Sequence, residues 1–462
     1  MAPGGSPRTP FADQSTGRPS GADTVTGAHA ERMRVTRRRL LGGALRAGLG
    51  VTAAALAPHR AFGAAPEPVL PLGALFPDLR CRFIFEYYPW YGVDPFRHWD
   101  QWDRAPPDDI AANYVPYLGP YDSRSPLVME QHARWIAEAG VGAVNVSWWG
   151  RDGYEDRLVP GLMDVMKDHD VKVTFHLEPY VPDHGRRFAE DVLYLLREYG
   201  EKRGYDTLLL LRGPGGAAPA PVFKGFRMIV PREKVDCHGV TRAEWDYTAD
   251  DEWRRQTDRL RDALRADFPG VLLLADTVDC IRASNGGFDG IAVYDNYVAP
   301  DTYAAHAKRA ADRGLLFSFN VNAGFDGIAR RRVPAGWCNE PQPFAPTAEP
   351  PLDWTRAPDL ERAADLSEAR MRDSLRATVA AQTDPSLSNA RRSFFLAYVN
   401  SFNEWHEGTA FEPMADATGL DAAQRTLGYH NPSWGGYRLA ALRRALATLS
   451  AETPARQREP AA

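Results

Sequence analysis

Short apolar runs alternate with longer amphipathic stretches from about residue 80 to residue 449. The runs predicted to be strands are 82–88, 143–148, 171–177, 222–230, 271–275, 290–294, 315–321 and 394–399. The stretches between them, such as LVMEQHARWIAEAG, are helix-like, and several end in Gly or a charged residue, as helix C-termini often do. Short strands that are apolar throughout are typical of a parallel sheet covered on both faces.

This alternation predicts an α/β fold class, specifically a (β/α)8 TIM barrel with extended loops. A doubly wound open sheet is the alternative, but it normally carries a glycine-rich phosphate loop, and no GxGxxG or GxxxxGK follows any predicted strand. Two stretches, 212–221 and 334–358, are rich in Gly, Pro or Ala. We interpret both as loops inside the barrel domain, because the alternation resumes after each of them.

The N-terminal residues differ in character from the rest. An arginine cluster, Arg37 to Arg39, precedes a moderately apolar stretch rich in Gly and Ala, with small residues near 63–65 that offer a cleavage site. This pattern resembles a twin-arginine export signal, and a basic disordered tail before a short helix is the alternative. We therefore expect a secreted protein with a disordered N terminus and signal (1–65), a linker (66–79), the barrel domain (80–449) and a disordered tail (450–462). Arg46 interrupts the apolar stretch, which argues against a membrane anchor.

The amino-acid composition excludes only a few classes of protein function. Hydrophobic residues at 44% and charged residues at 25% are ordinary for a soluble globular protein, and a formal net charge of -5 gives no electrostatic case for nucleic acid. Export would permit disulfides among Cys81, Cys237, Cys280 and Cys338, but the sequence leaves the three full pairings and free thiols all open. No two cysteines are spaced as CxxC, so a thiolate zinc site is not expected. The chain is expected to be a monomer.

Aromatic, amide and carboxylate residues collect where the predicted strands end. They are Glu86, Tyr87, Tyr88, Trp90 and Tyr91 at the first strand, Asn145, Ser147, Trp148 and Trp149 at the second, His176, Glu178 and Tyr180 at the third, Tyr294, Asp295, Asn296 and Tyr297 at the sixth, Asn320 and Asn322 at the seventh, and Asn403, Glu404, His406 and Glu407 after the eighth. Barrel enzymes carry their active sites at this end. Aromatic faces beside such hydrogen-bonding groups describe a carbohydrate site, and paired carboxylates are what glycosidic bond cleavage requires.

The pair Glu404 and Glu407 lies three residues apart in SFNEWHEG (401–408). In a continuing strand the two side chains would point to opposite faces. Both can address one ligand only if the chain turns after Asn403, and the following Gly408 permits such a turn. The alternative is a solvated salt bridge on a loop.

Five motifs in order resemble glycoside hydrolase family 99, the endo-α-1,2-mannosidases and mannanases. The motifs are FEYYPWYG (85–92), NVSWWG (145–150), HLEPY (176–180), GGFDGIAVYDNY (286–297) and SFNEWHEG (401–408), and the likeness also takes in residues 114–141. The resemblance covers roughly residues 82–413. It implies a (β/α)8 fold and cleavage inside an α-mannoside chain with retention, without a metal or other cofactor. The substrate partner would be α-mannan or a mannose-containing oligosaccharide.

The resemblance also implies residue roles. Glu404 would deprotonate the 2-hydroxyl of the sugar, which attacks the anomeric carbon to give a 1,2-anhydro intermediate. Glu407 would protonate the leaving oxygen and then activate water, so we expect a raised pKa for Glu407. The residues predicted to bind substrate are Tyr87 or Tyr88, His176, Glu178 and Tyr294 around the attacked sugar, Trp148 and Trp149 as a platform for its neighbour, and Trp90, Asn403 and His406 beside them. We expect Trp405 and His406 mainly to hold the loop in place.

Two other functions remain open. A metal-dependent hydrolase on the same barrel could use the carboxylates with His176 and His406, although neither an HxH after the first strand nor an HExxH is present. A glycan-binding or sugar-transferring barrel would present the same aromatic residues. Binding alone would not require two carboxylates so close together, whereas transfer could use the same pair.

Overall fold

A computed structural model describes residues 72–333 and 343–450. Its strands are β1 (Phe83–Tyr87), β2 (Gly92–Val93), β3 (Phe96–Arg97), β4 (Ala143–Trp148), β5 (Lys172–Leu177), β6 (Leu210–Arg212), β7 (Pro219–Gly225), β8 (Glu233–Val235), β9 (Thr241–Ala243), β10 (Leu272–Ala275), β11 (Gly290–Val293), β12 (Leu316–Phe319), β13 (Val321–Asn322) and β14 (Ala397–Asn400). The helices are α1 (Leu72–Leu75), α2 (Pro126–Glu138), α3 (Tyr154–Asp168), α4 (His184–Leu195), α5 (Asp250–Leu264), α6 (Cys280–Asn285), α7 (Tyr303–Ala311), α8 (Ala357–Thr383), α9 (Ser388–Arg391), α10 (Ala422–Leu427) and α11 (Tyr437–Ser450). Within these two ranges no helix has the length and apolar character needed to span a membrane.

A parallel barrel forms the centre of the protein. Strands β1, β4, β5, β7, β10, β11 and β12 pair in that order, and β14 pairs with both β13 and β1. Asn320 separates β12 from β13, so one interrupted strand contacts β11 with its first half and β14 with its second. The predicted (β/α)8 barrel is confirmed, and each of the eight predicted apolar runs contributes a barrel strand.

Side chains alternate between the two faces of each barrel strand. In β1, Phe83, Phe85 and Tyr87 pack in the large cluster under the helices. Ile84 packs instead with interior apolar residues of the other strands, including Val222. The period of two along a strand then directs Glu86 and the following Tyr88 inward, toward the carboxyl end of the barrel where a site is expected.

The structure differs from the sequence prediction around the fourth barrel strand. The predicted strand 222–230 leaves the sheet after Gly225, because the chain folds back so closely that a Cβ on Gly225 would collide with the side chain of Met228. On the other side, the predicted loop 212–221 is partly strand, since β6 pairs antiparallel with the start of β7. The hairpin β8–β9 then extends from this region.

The segment before β1 differs from the predicted linker. Residues 72–79, assigned to a linker, form α1 and a turn whose Leu72 and Leu79 are buried in the main core. Cys237 is disulfide-bonded, whereas Cys81 and Cys280 are free thiols. Cys338, the predicted export signal (1–65) and residues 451–462 lie outside the described residues.

Candidate active site

The two carboxylates lie on a turn directly after β14, here called the carboxylate loop (residues 401–408). The strand ends at Asn400, and the chain bends and turns over residues 402–408. Gly408 closes the loop with φ +62°, a left-handed conformation that favours glycine, and a Cβ there would collide with the carbonyl oxygen of Asp326. The backbone N–H of Asp326 donates to the Glu407 carbonyl (2.8 Å), so a neighbouring segment pins the turn.

Glu404 is buried and held by its own loop. One carboxylate oxygen, Oε1, accepts the backbone N–H of His406 (3.1 Å), and the N–H of Glu404 donates to Ser401 Oγ (2.8 Å). The imidazole Nδ1 of His406 lies 3.5 Å from the same Oε1. Nε2 of that ring is 3.0 Å from the carbonyl oxygen of His98, so Nε2 carries a hydrogen and donates it. His406 therefore ties the loop to the segment around His98, as expected for a residue that holds the loop.

Glu407 is more accessible than Glu404. Its side chain is half-buried, and its Oε2 accepts the phenol hydrogen of Tyr294 (2.9 Å), which stands just after β11. Tyr294 is itself buried, so it presents its hydroxyl at a fixed position. The two carboxylates thus differ in environment: Glu404 is fully buried and Glu407 is partly exposed.

Two buried tyrosines lie near both carboxylates. Burial raises the pKa of the Tyr294 phenol well above its ordinary value, and the negative charges of Glu407 and Glu404 raise it further. Burial also raises the pKa of the Tyr88 phenol, with additional contributions from Glu86, Glu404, Glu178 and Glu407. Because the same two phenols feel both charges, Glu404 and Glu407 both lie near Tyr88 and Tyr294 at the carboxyl end of the barrel.

A charged layer lies beneath this region inside the barrel. Glu86 is fully buried and forms an ion pair with Lys224, while Asn145 Nδ2 and His176 Nδ1 each donate to Glu86 Oε2 at 2.8 Å. Burial alone would raise the pKa of Glu86, but the charges and hydrogen bonds of Lys224 and His176 lower it to about 2. Glu86 is therefore ionised, and His176 donates from Nδ1. Nε2 of His176 is buried with no hydrogen-bond partner among the described residues, which leaves it available to a ligand.

Glu178 and Trp149 are coupled through a serine. Trp149 Nε1 donates to Ser147 Oγ (3.1 Å), and the Ser147 hydroxyl donates to Glu178 Oε1 (2.7 Å). The second oxygen of Glu178, Oε2, is buried and has no partner within residues 72–333 and 343–450. The chain of bonds orients an aromatic ring and a carboxylate together, and it leaves one acceptor oxygen for a ligand hydroxyl.

An aromatic group flanks the carboxylate loop. The Trp90 ring stacks on His98 with centroids 4.5 Å apart, and it lies 5.9 Å from the His406 ring. Trp102 packs on the other side of His406 at 4.7 Å. His98 and Trp102 have φ of +64° and +53°, which is costly for residues with a Cβ and is often found at functional sites. Sequence reasoning missed both, since they follow the β2–β3 hairpin and not a barrel strand; their only signal was the aromatic richness of FRHWDQW.

Tyr87 and Trp148 do not belong to this site, which corrects two of the predicted residues. Both face the helices: the Tyr87 hydroxyl is 3.0 Å from His132 Nδ1, and Trp148 Nε1 donates to Asp156 Oδ1 (2.7 Å). The reason is strand alternation, which sends every second side chain outward. Tyr88 and Trp149, one residue further along each motif, lie among the site residues instead.

The side chain of Asn403 positions neighbouring residues and does not present a free group to substrate. Its Oδ1 accepts the backbone N–H of Tyr88 (2.8 Å), and its Nδ2 donates to the Tyr88 carbonyl (3.0 Å) and to the Tyr121 hydroxyl (3.1 Å). Because both ends of the amide are engaged and the residue is fully buried, Asn403 ties the carboxylate loop to the end of β1. This contact fixes Tyr88 beside the two carboxylates.

Glu412 is a second residue that sequence reasoning missed. Its buried carboxylate accepts from Trp405 Nε1 (3.1 Å), the Tyr121 hydroxyl (2.8 Å) and His132 Nε2 (3.2 Å). It therefore anchors the indole of the carboxylate loop to helix α2.

Over the described ranges, no group of three or more His, Cys, Asp or Glu residues is arranged to hold a metal ion.

Part of the chain that contains the first strands of the barrel matches a known protein family. The family model described as Glycosyl hydrolase family 99 matches residues 83–208. The resemblance to family 99 is thereby confirmed. The matched segment contains three of the five family 99 motifs, from FEYYPWYG to HLEPY.

Curated relatives match part of the chain. The glycoprotein endo-alpha-1,2-mannosidase of Mus musculus is 33% identical over 140 residues, covering 25% of this chain and 30% of the mouse protein. The enzyme of the same name from Xenopus laevis is 34% identical over 151 residues, covering 27% of this chain and 34% of that protein. The chain thus spans about a third of the length of the curated relatives that it matches.

A solved structure supports the fold over a longer range. The GH99 endo-alpha-mannosidase from Bacteroides thetaiotaomicron superimposes with a TM-score of 0.54 at 22% sequence identity, covering 80% of this chain and 97% of that one. At this identity the likeness establishes the shared barrel fold and no more.

Proposed function

We propose that this protein is an exported, retaining, endo-acting glycoside hydrolase that cleaves α-mannosidic linkages, α-1,2 in particular, within mannan or mannose-containing glycans. The observation that carries the proposal is that Glu404 and Glu407 lie on one loop at the carboxyl end of the barrel, near the phenols of Tyr88 and Tyr294, with the Tyr294 hydroxyl donating to Glu407 (2.9 Å). Similarity to relatives named endo-alpha-1,2-mannosidase supports the choice of linkage.

The environments of the two carboxylates fit different roles. Glu404 is enclosed and oriented by the N–H of His406, which suits a base that abstracts the proton of the substrate 2-hydroxyl. That oxygen then attacks the anomeric carbon, forming a 1,2-anhydro sugar as the glycosidic bond breaks. Glu407 gives its proton to the leaving oxygen and takes one from the water that opens the anhydro ring, while Glu404 returns its proton to the 2-oxygen. Its half-buried position and its contact with Tyr294 suit a group that meets both the leaving sugar and water.

The surrounding groups suit a polyhydroxylated ring. His176 Nε2 and Glu178 Oε2 are buried hydrogen-bonding atoms that sugar hydroxyls would satisfy, since an unpaired buried polar atom is costly. Trp149 is partly exposed and offers an aromatic face to a sugar unit, whereas Trp90, with its ring centroid 6.4 Å away, is fully buried and stacks on His98.

Product analysis tests the proposal directly. The protein is incubated with α-1,2-branched mannan and, separately, with glucosylated mannose oligosaccharides, and the released reducing ends are identified, with and without EDTA. We expect oligosaccharides from internal cleavage, an α-configured first product by ¹H NMR, and no effect of EDTA. Glu404→Gln and Glu407→Gln should each abolish release, while Glu201→Gln, at an exposed glutamate of the short 3-10 helix 201–203, should not.

Each contrary result favours a different alternative. Loss of activity with EDTA would favour a metal-dependent hydrolase. Binding of mannan without any released reducing end would favour a glycan-binding protein, and longer products formed at high acceptor concentration would favour sugar transfer. A β-configured first product would exclude the anhydro route, because that route requires two inversions at the anomeric carbon.

A further inference from the structure

Lys224 is a buried lysine inside the barrel, one residue before the end of β7. It is fully buried, and its ammonium forms an ion pair with Glu86. The ammonium also lies over two aromatic rings, 4.6 Å from the centroid of Tyr398 and 5.2 Å from that of Tyr294. Lysine is almost never fully buried unless it is paired, so this position has a specific requirement for its charge.

Lys224 contacts two separate arms of the site. One arm runs through Glu86 to His176, whose Nδ1 donates to Glu86 Oε2 (2.8 Å). The other runs through the ring of Tyr294 to Glu407, which accepts the Tyr294 hydroxyl (2.9 Å). A single cation beneath the floor of the site thus contacts the supports of a ligand-binding imidazole and of the proposed acid.

We propose that Lys224 is a positioning residue for the glycosidase site, fixing His176 through Glu86 and the hydroxyl of Tyr294 through a cation–π contact. The inference rests on the proposed function for its consequence on catalysis, but the arrangement itself is independent of the substrate. With Glu86 ionised, the hydrogen of His176 stays on Nδ1, and Nε2 is directed to the ligand with its lone pair.

The charged groups around Lys224 determine how the enzyme activity should depend on pH. The groups that face it and its partners are Glu86 on β1, His176 on β5, Asp276 after β10, Tyr294 after β11 and Tyr398 on β14, with Glu178, Glu404 and Glu407 above them. Lys224 and His176 hold the pKa of Glu86 at about 2 against the effect of burial. Without the ammonium, burial prevails and the pKa of Glu86 rises. Glu86 then takes up a proton as the pH falls, and His176 loses the acceptor that fixes its Nδ1–H.

The test compares Lys224→Met with Lys224→Arg and a matched control. We expect Lys224→Met to lower kcat/KM by about 10–100-fold, the range known for residues that orient metal-bound histidines from the outer shell, with a new loss of activity on the acid side. Lys224→Arg keeps the charge and should restore the wild-type acid limb in part. Tyr398→Phe is the control: it keeps the ring beneath Lys224 and removes only a hydroxyl that has no partner among the described residues. It should behave as wild type.

A double variant that removes both buried charges serves as the control for misfolding. Lys224→Met leaves Glu86 as an uncompensated buried charge, so Lys224→Met/Glu86→Gln is made in parallel. Gln keeps an oxygen to accept from His176 but does not titrate near neutral pH. The double variant should fold, show no extra acid limb, and still have a reduced kcat because the Tyr294 arm is unsupported.

A substrate-free measurement separates this inference from the proposed function. ¹⁵N NMR of the histidines reports which ring nitrogen of His176 carries the hydrogen. The hydrogen should be on Nδ1 in wild type and Tyr398→Phe, whereas in Lys224→Met a protonated Glu86 donates to Nδ1 and the hydrogen should move to Nε2. If Lys224→Met keeps both the wild-type pH profile and the wild-type His176 signal, the inference is overturned. If wild type has no glycosidase activity but the NMR difference is present, the positioning role holds and the proposed function fails.

Discussion

Glu412 offers a sharp test of how the carboxylate loop is held. Its carboxylate receives three hydrogen bonds, from Trp405, Tyr121 and His132, and all four groups are buried. None of these residues is proposed to touch substrate. The substitution Glu412→Ala removes the acceptor for all three donors at once while leaving Glu404 and Glu407 chemically intact.

The expected loss in free energy of unfolding follows from the number of buried donors that lose their acceptor. A buried donor left without a partner costs about 1–3 kcal/mol, so three donors give about 3–9 kcal/mol. Partial rearrangement reduces the sum, since Tyr121 also receives the amide of Asn403 and can rotate its hydroxyl. We therefore expect a loss of about 3–5 kcal/mol, which equals the usual cost of breaking a buried charged pair. Glu412→Gln keeps one acceptor oxygen and should lose roughly half as much.

Urea unfolding followed by tryptophan fluorescence measures this loss, with kcat on mannan as the second readout. Because Trp405 stands between the two carboxylates in the chain, kcat should fall more than KM rises. Glu201→Ala, on an exposed turn, is the control and should change neither. If Glu412→Ala lowers the free energy of unfolding by less than about 1 kcal/mol, the network does not hold the loop and the reasoning is refuted.

Three further predictions address the site. Gly408→Ala forces a Cβ into a left-handed turn (φ +62°) and should lower both kcat and stability, the latter by about 1–3 kcal/mol; unchanged values would show that the turn adapts. Ser147→Ala breaks the bridge between Trp149 and Glu178 and should raise KM more than it lowers kcat, whereas Ser147→Thr should retain the hydroxyl bonds. Glu86, with its pKa lowered to about 2, stabilises the fold fully above its unfolded value of 4.5 and loses this contribution as the pH falls toward 2. The stability difference between wild type and Glu86→Gln, about 3 kcal/mol at neutral pH, should therefore shrink below pH 4.5 in urea titrations.

The fold was predictable because each barrel strand is a short run of apolar residues set off by amphipathic helices. Runs such as LLLA and GIAV are buried on both faces, which only a covered parallel sheet allows. The carboxylate pair was predictable for a related reason: acidic residues directly after a buried strand fall at the carboxyl end of a barrel. The segments that escaped prediction are those without periodicity, the β8–β9 hairpin and the strained turn carrying His98 and Trp102.

Double burial is also why the sequence could not choose between neighbouring aromatic residues. In a strand with one face in water, polar residues mark the outward positions, but β1 and β4 are buried at every position. Tyr87 and Tyr88, or Trp148 and Trp149, are then equivalent in composition, and a shift of one residue exchanges the helix-facing and site-facing sides.

The buried polar residues could have resolved that choice. Glu86 would be too costly beneath the helices without a partner, so it must face a cation inside the barrel, and the interior sequence offers Lys224 on β7. Placing Glu86 inward fixes Tyr88 inward and Tyr87 outward by the period of two. The same reasoning places His176 on β5 and Glu178 just after it inward and, through the Ser147–Glu178 bond, orients the end of β4. Charged residues within apolar strands, which weaken a strand prediction, are thus the most informative markers of register once the barrel is assumed.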